Sequence, residues 1–151
     1  MDQNTISTVE TTTKDLIQKL GIEVTVGTSE KDDALQVTLE SPEAGILIGH
    51  QGRNLEALQI LIGQLVYKKT GEWTRVVVTV GDYRERQEKE LRDLAIQSAE
   101  RASNENTEIV LSDLSPGERR IVHMALADHP NVVSESTGEG RDRRLIIRPK
   151  T

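Results

Sequence analysis

The sequence lacks cysteine and phenylalanine, and its one tryptophan and two tyrosines make up only 2% of 151 residues. Without cysteine, disulfides, thiolate metal sites and cysteine nucleophiles are excluded. No stretch approaches the roughly 18 apolar residues that span a membrane, and the polar N-terminus has no apolar signal segment. We therefore expect a cytoplasmic protein with small cores of Leu, Ile, Val and Ala, without a membrane span.

Charge is distributed unevenly along the chain. The formal net charge is −6, which argues against a nucleic-acid partner when it is considered alone. Residues 1–40 hold eight acidic and three basic side chains, whereas residues 141–150 hold five basic side chains and one acidic one. The overall acidity therefore does not exclude a local basic surface near the C-terminus.

The first half of the chain shows helical and strand patterns in alternation. Thr11–Thr13 can cap a helix that ends at Gly21, and we expect residues 1–11 to be a flexible N-terminus. Apolar residues alternate over 22–26 and 35–39, which predicts two strands on either side of a polar, acidic loop at 27–33.

A second pair of helices follows. Ser41-Pro42-Glu43 predicts the start of a short helix, and a longer amphipathic helix is predicted from Arg53 or Asn54 to Gly71. The β-branched run 73–80 predicts a strand that is covered on both faces.

The composition changes at residue 82. Residues 82–94 are mostly charged and predict a solvated helical connector, which becomes amphipathic from Leu91 onwards. A short strand at 108–113 and a helix from Ser115 to about Asp128, with a capping box, are predicted next. A hairpin across residues 138–140 completes a second small unit.

The stretch GILIGHQGRN, residues 45–54, places a Gly-x-x-Gly loop between the two predicted helices. Composition alone yields about one such glycine pair, so the pair is informative only in its structural context. A Walker-type phosphate loop is excluded because no Lys-Ser or Lys-Thr pair follows. A plain turn between helices is the alternative to a nucleic-acid clamp.

In that context, residues 12–81 resemble a KH domain of the bacterial, type II arrangement, and ILIGHQGRNLEALQ resembles its IGxxG signature. The resemblance implies a three-stranded sheet packed by three helices, with single-stranded RNA in a groove between the loop and the sheet edge. Two glycines would allow the RNA backbone to approach, and amide groups at the following helix start would face phosphates. The residues expected to contact RNA are Ile46, Ile48, Gly49, His50, Gln51, Gly52 and Arg53.

Two features predict weak RNA affinity in this unit. Related loops commonly carry Lys or Arg between the glycines, whereas this one has His50 and Gln51. The loop 27–33, which would face the far side of the groove, carries three acidic residues and one lysine.

The second unit contains Arg119 and His123, which are four residues apart and so lie on one helical face. With the strand before them and RLIIRP after them, residues 95–151 resemble the R-three-H domain, whose members are taken to bind single-stranded nucleic acid. The resemblance implies that Arg119 contacts a phosphate and His123 donates a second hydrogen bond. The structural alternative is a solvated Arg119 and a locally bonded His123. The residues expected to bind nucleic acid are Arg119, Arg120, His123, Arg143, Arg144 and Arg148.

Together the two units resemble the bacterial Jag (SpoIIIJ-associated) family. The expected fold class is α+β, with a type II KH domain and a small α/β R-three-H domain joined by a charged helix. Family members often carry a further N-terminal Jag domain, which we do not expect in this chain. The resemblance implies a post-transcriptional regulator linked to cell-wall growth and division, which binds single-stranded RNA or DNA and can pair with a KH partner protein.

Three functions remain open from the sequence. The first is single-stranded RNA binding by both units, and the second is a protein-interaction module that dimerises through its KH domain. The third, a hydrolase or nuclease, is disfavoured because no acid pair, catalytic triad or metal-ligand spacing is present. We therefore predict that the chain is not an enzyme and needs no metal or cofactor.

Overall fold

The computed structural model describes all residues from Met1 to Thr151, which form two compact units. The first unit comprises Met1–Arg84 and the second Glu85–Thr151. None of the helices is both long enough and apolar enough to cross a membrane.

The first unit is a three-stranded sheet with three helices. In chain order its elements are α1 (Gln3–Lys19), β1 (Thr25–Lys31), β2 (Ala34–Glu40), α2 (Ala44–Ile48), α3 (Arg53–Thr70) and β3 (Val76–Val80). The strand order is β1-β2-β3, with β1 antiparallel and β3 parallel to the central β2. This arrangement agrees with the fold that the KH resemblance implied.

The core of the first unit is aliphatic, as the composition required. It is built from every second residue of β2 and β3 together with one face of each helix. Its largest fully buried side chains are Val9, Ile17, Leu35, Val37, Leu39, Leu47, Ile62, Val66 and Val78.

Helix α1 begins at Gln3, so the prediction of a flexible segment over residues 1–11 is wrong for residues 3–11. Asp2 caps the helix, because its Oδ1 accepts a hydrogen bond from the Thr5 amide at 2.7 Å. Val9 is fully buried and carries the apolar face further towards the N-terminus than Leu16 and Ile17. Threonines have low helix propensity and obscured this periodicity in the sequence.

The predicted loop at 27–33 is mostly strand. β1 continues to Lys31, which pairs with Ala34, so only Asp32 and Asp33 form the turn. Both aspartates have positive φ, 52° and 59°, as in the type I′ turns that join two-residue hairpins. The strand went unrecognised because β1 is an edge strand with mostly exposed polar side chains.

Two other boundaries differ from the sequence prediction. Helix α2 starts at Ala44, because the Ser41 hydroxyl donates to the Glu23 carbonyl at 2.6 Å and so ties the chain to the segment before β1. Strand β3 is buried on only one face: Val76, Val78 and Val80 lie in the core while Val77 and Thr79 are half-exposed. Its other face has no layer above it because the helices share one side of the sheet.

The second unit is built around a sheet in the order β4-β6-β5, with both pairs antiparallel. Its elements are α4 (Tyr83–Glu105, which starts in the last residues of the first unit), β4 (Ile109–Leu111), α5 (Pro116–Leu126), β5 (Val132–Thr137) and β6 (Arg144–Pro149). A short 3-10 turn, Gly140–Asp142, lies between β5 and β6.

Helix α4 supplies part of the second core. Its buried residues Leu91, Ala95, Ala99 and Ala102 share that core with Val122, Leu126, Val132, Leu145 and Ile147. The amphipathic face predicted from Leu91 onwards is therefore present. The second unit begins at Glu85, before the predicted boundary at residue 95.

Candidate nucleic-acid interface

The glycine loop joins α2 to α3 through a tight reversal. Gly49 has φ 72° and ψ −177°, a region that is essentially restricted to glycine, and Gly52 is left-handed with φ 76°. Gln51 between them is also left-handed, with φ 55° and ψ 28°. Three positive φ values in four residues expose His50 and Gln51 at the tip of the loop.

At both glycine positions, a larger side chain would crowd a neighbouring side chain of the same unit. A Cβ added to Gly49 would lie 2.5 Å from Cγ of Asn54, and one added to Gly52 would lie 3.1 Å from Oη of Tyr83. Asn54 in turn donates from Nδ2 to the Ile46 carbonyl at 2.8 Å, which ties α3 to α2 across the loop. From the sequence alone, the two glycines are explained by the approach of the RNA backbone. Nothing in the sequence marks Asn54 and Tyr83 as their neighbours, because Asn54 lies five positions after Gly49 and Tyr83 lies still further from Gly52.

The predicted contact residues are brought to one loop but differ in exposure. Ile46 is 56% exposed, whereas Ile48 is half-buried and packs against the core. His50, Gln51 and Arg53 are exposed, and Gly52 is buried. Arg53 begins α3, whose first amide groups form an anion-attracting helix N-terminus beside the loop.

Arg84 and Gln59 close the edge of β3 at Val78. Arg84 donates from Nε to the Val78 carbonyl at 2.7 Å and from Nη2 to Oε1 of Gln59 at 2.9 Å. The same Gln59 oxygen accepts from the Val78 amide at 2.9 Å. Burial lowers the pKa of the Arg84 guanidinium. Because both backbone groups of Val78 are satisfied, an RNA base cannot pair with this part of the strand edge unless it displaces Gln59 and Arg84.

In the second unit, the start of α5 is held by a buried carboxylate. Glu118 accepts from the Ser115 amide at 2.7 Å and from Nε2 of Gln87 at 2.9 Å, while the Ser115 hydroxyl accepts from the Glu118 amide. This confirms the predicted capping box. Arg119 follows directly and donates from Nη1 to the Leu114 carbonyl at 2.6 Å, so its guanidinium is held at the N-terminal end of the helix.

A cleft of about 520 Å³ gathers four of the six predicted cationic side chains of this unit. Arg119, Arg120, His123 and Arg143 all line it, together with Pro116, Ser134, Glu135, Ser136 and Leu145. Nδ1 of His123 lies 2.6 Å from Oγ of Ser134, and Arg143 donates from Nη1 to the Gly138 carbonyl at 2.9 Å. Three arginines against one glutamate make the cleft positively charged, and the guanidinium groups, of which those of Arg119 and Arg143 are held by hydrogen bonds, suit phosphate oxygens.

Arg144 and Arg148 lie on the opposite face of the sheet, so the structure does not bring these two of the predicted nucleic-acid-binding residues to the cleft. Leu145 and Ile147, which alternate with them along β6, point into the core. Arg148 donates to Glu108 and to Glu135, each at 2.7 Å, and the hydrogen bond to Glu108 raises the pKa of its guanidinium. The cationic surface beside α5 therefore ends at Arg143.

The chain matches two domain families in series. Residues 7–80 match the KH domain of KhpA/KhpB, and residues 89–149 match the R-three-H domain. The chain thus has a KH domain of the KhpA/KhpB type followed by an R-three-H domain, and it is homologous to RNA-binding protein KhpB of the Jag family. This confirms the resemblance on which the sequence interpretation depended, together with the α+β fold of a KH domain followed by an R-three-H domain.

The chain is similar, at moderate identity, to several proteins of known name. The chain is 34% identical over 128 residues to "RNA-binding protein KhpB" of Clostridium symbiosum and 32% identical over 130 residues to the Bacillus subtilis (strain 168) protein of the same name. These alignments cover 85% of the chain and 58% and 62% of the two relatives. A Streptococcus pneumoniae relative is 26% identical over 132 residues, covering 87% of the chain and 40% of the relative. The chain thus spans about three fifths of the first two relatives, which are named as RNA-binding proteins and not as enzymes.

Proposed function

We propose that this chain binds single-stranded RNA through two surfaces, the glycine loop of the KH unit and the cleft of the R-three-H unit. The observation that carries the proposal is the cleft in which Arg119, Arg120, His123 and Arg143 converge from α5 and the turn before β6. The names of the relatives support RNA as the ligand. Single-stranded DNA, which offers the same phosphates, is the competitor to include in every assay.

The two surfaces supply different parts of the interaction. The R-three-H cleft presents fixed guanidinium donors, which suit phosphates and carry little sequence information. The KH loop presents an exposed aliphatic side chain, Ile46, beside the N-terminus of α3, so a base can be held next to a phosphate. With one basic residue, Arg53, directly at the loop, we expect the KH unit to add less affinity than the cleft.

Replacing Arg119 with alanine tests the cleft. We expect the affinity for a single-stranded RNA pool to fall about threefold to tenfold at 150 mM salt, because one charge-assisted phosphate contact is lost. The slope of log affinity against log salt should fall in magnitude by about 0.7, the value for one phosphate on a single strand. Fluorescence anisotropy titrations at four salt concentrations measure both quantities.

Arg144→Ala is the matched control, since it removes the same charge from the opposite face of the sheet. We expect its affinity to stay within about twofold of the parent chain and its salt slope to be unchanged. Equal losses in both variants would mean that only net charge matters, and the cleft would no longer be the proposed site.

The cellular role follows from the family alone. We propose a cytoplasmic post-transcriptional regulator linked to cell-wall growth and division, as the Jag resemblance implies. RNA crosslinking in cells with peptide mapping tests the molecular part of this role: crosslinks are expected at residues 46–53 and 119–123. Crosslinks confined to other segments would contradict both surfaces.

One observation favours dimerisation as a second function. Helix α3 and the residues that follow it carry an exposed apolar face formed by Ile60, Leu61, Tyr67 and Trp73, with Ile60 and Trp73 exposed by 64% and 66%. The Tyr67 and Trp73 rings lie 6.2 Å apart, so the aromatic pair forms part of one surface. Contiguous apolar patches of this kind mark protein interfaces.

The α3 apolar face is suited to a second copy of this chain. Ile60 and Leu61 lie near the middle of α3, so a two-fold axis there would run two α3 helices antiparallel and bring the same patch together. Glu56 and Lys68 lie equally far from position 62 on either side. In such a dimer Glu56 of one copy would approach Lys68 of the other, which adds charge complementarity.

Ile60→Glu tests the dimer. We expect the parent chain to show a concentration-dependent dimer in analytical ultracentrifugation, and the variant to sediment as a monomer because a carboxylate would be buried in the contact. Leu20→Glu, which changes an exposed leucine outside the patch, should behave as the parent. A parent chain that stays monomeric at 100 µM would contradict this second function.

A further inference from the structure

The His123 side chain on α5 forms a hydrogen bond with a serine on strand β5 that no sequence pattern singles out. His123 is exposed on α5, and its Nδ1 lies 2.6 Å from Oγ of Ser134 on the neighbouring strand β5. Ser134 lies on the face of β5 that also carries the buried Val132, so it faces the helix. The imidazole is therefore held through Nδ1, and Nε2 is the ring nitrogen left for a ligand.

The direction of that hydrogen bond decides what His123 can do. A neutral imidazole has one N–H donor and one bare acceptor nitrogen, and the partner of one nitrogen selects the state of the other. When the serine hydroxyl donates to Nδ1, the ring proton resides on Nε2. Nε2–H can then donate to a phosphate oxygen, whereas a bare Nε2 would repel it.

The cleft around the ring is suited to an anion. Arg119 and Arg120 on α5 and Arg143 before β6 line it, while Glu135 on β5, the one acidic lining residue, directs its carboxylate to Arg148. A phosphate that these arginines attract would meet the exposed imidazole, and the ring can donate to it only from a nitrogen that carries a proton.

We propose that Ser134 is a positioning residue that holds neutral His123 with its proton on Nε2, ready to donate to an RNA phosphate. The inference rests on the proposed RNA binding of the R-three-H unit and adds one residue to it. Its consequence is that binding through His123 does not require an imidazolium, so it persists above pH 7.

Ser134→Ala, measured in the full chain at two pH values, tests the proposal. Imidazoles are mostly neutral at pH 8 and mostly protonated, with both nitrogens as donors, at pH 5.5. At pH 8 we expect Ser134→Ala to lower RNA affinity about threefold to tenfold, close to the effect of His123→Ala. An imidazole that carries both protons donates from Nε2 without help from a partner at Nδ1, so we expect the affinity of Ser134→Ala to come within about twofold of the parent chain at pH 5.5.

Two further variants separate positioning from a structural effect. Ser134→Thr keeps the hydroxyl and should restore binding at pH 8, while Thr137→Ala removes a hydroxyl from the other face of β5 and should have no effect at either pH. A loss in Ser134→Ala that is equal at both pH values, or that Ser134→Thr does not restore, would overturn the proposal.

A spectroscopic measurement tests the inference without RNA. Long-range ¹H–¹⁵N correlation spectra of the free chain at pH 8 distinguish the two neutral tautomers, and we expect Nε2–H for His123 in the parent chain and a mixture in Ser134→Ala. A parent ring protonated on Nδ1 would refute the positioning role while the proposed function stood. Failure of the parent chain to bind RNA at any pH would instead refute the proposed function.

Discussion

Gly49→Ala is expected to destabilise the first unit by about 3 kcal/mol. Two costs add: an alanine must adopt the glycine-only conformation of φ 72° and ψ −177°, which costs on the order of 1–3 kcal/mol. Its Cβ would also lie 2.5 Å from Cγ of Asn54 and would force that side chain from its hydrogen bond to Ile46, which contributes roughly 0.5–1.5 kcal/mol. Unfolding in urea, followed by the fluorescence of Trp73, measures the effect.

Trp73 is the one tryptophan of the chain and lies in the first unit, so its fluorescence reports that unit within the intact protein. Gly45→Ala is the matched control: Gly45 lies in α2, and an added Cβ meets no atom within 4 Å. We expect this control to leave stability unchanged or to raise it by up to about 1 kcal/mol, because alanine is the better helix former.

The double variant Gly49→Ala/Asn54→Ala separates strain from the steric clash. If the clash contributes, Gly49→Ala should cost less when Asn54 is already alanine, and the two changes should not be additive. An unchanged urea midpoint for Gly49→Ala alone would contradict the structure of the loop.

The second large effect is expected from His50→Asp/Gln51→Asp. Both side chains are exposed at the loop tip, and an aspartate tolerates the left-handed conformation of position 51. Two carboxylates at the α3 N-terminus would occupy the place proposed for a phosphate and repel it. At about 1 kcal/mol for each surface charge pair, we expect RNA affinity to fall roughly tenfold to thirtyfold at 50 mM salt.

The same positions allow the opposite change. His50→Lys/Gln51→Lys should raise RNA affinity and steepen the salt slope by up to about 1.4, because two further phosphates can be neutralised. Gln3→Asp/Asn4→Asp, two carboxylates in the first turn of α1, gives the charge control and should bind as the parent chain does. If neither loop variant changes binding, the glycine loop is not an RNA surface and the R-three-H cleft acts alone.

These loop variants replace a substitution that the sequence alone would suggest. From the motif, placing aspartate at Gly49 and Gly52 is the direct test of an RNA clamp. The structure shows that both glycines also leave space for the side chains of Asn54 and Tyr83. A loss of binding in such a variant would therefore not separate a lost RNA contact from misfolding. Substitutions at His50 and Gln51 avoid this ambiguity, because both side chains are exposed.

The sequence by itself determined the order of the elements and the domain families. Long amphipathic helices such as α3, caps such as Ser115 and helix-ending glycines such as Gly71 depend on neighbours within a few residues. Such local rules can be applied without a structure. The same kind of rule applies to β6, where strand alternation places Arg144 and Arg148 opposite Leu145 and Ile147 and so away from the residues with which the sequence prediction grouped them.

Only the tertiary structure decided how the sites are held. Gln59 meets Val78 from 19 residues away, Glu118 meets Gln87 from 31, and Ser134 meets His123 from 11. These partners are polar residues of ordinary types. Apart from the capping box of Glu118, no periodicity or cap marks them, because their roles depend on which elements pack together. The glycine loop is therefore recognisable from ten letters of sequence, while its shape depends on an asparagine that supports it from the next helix.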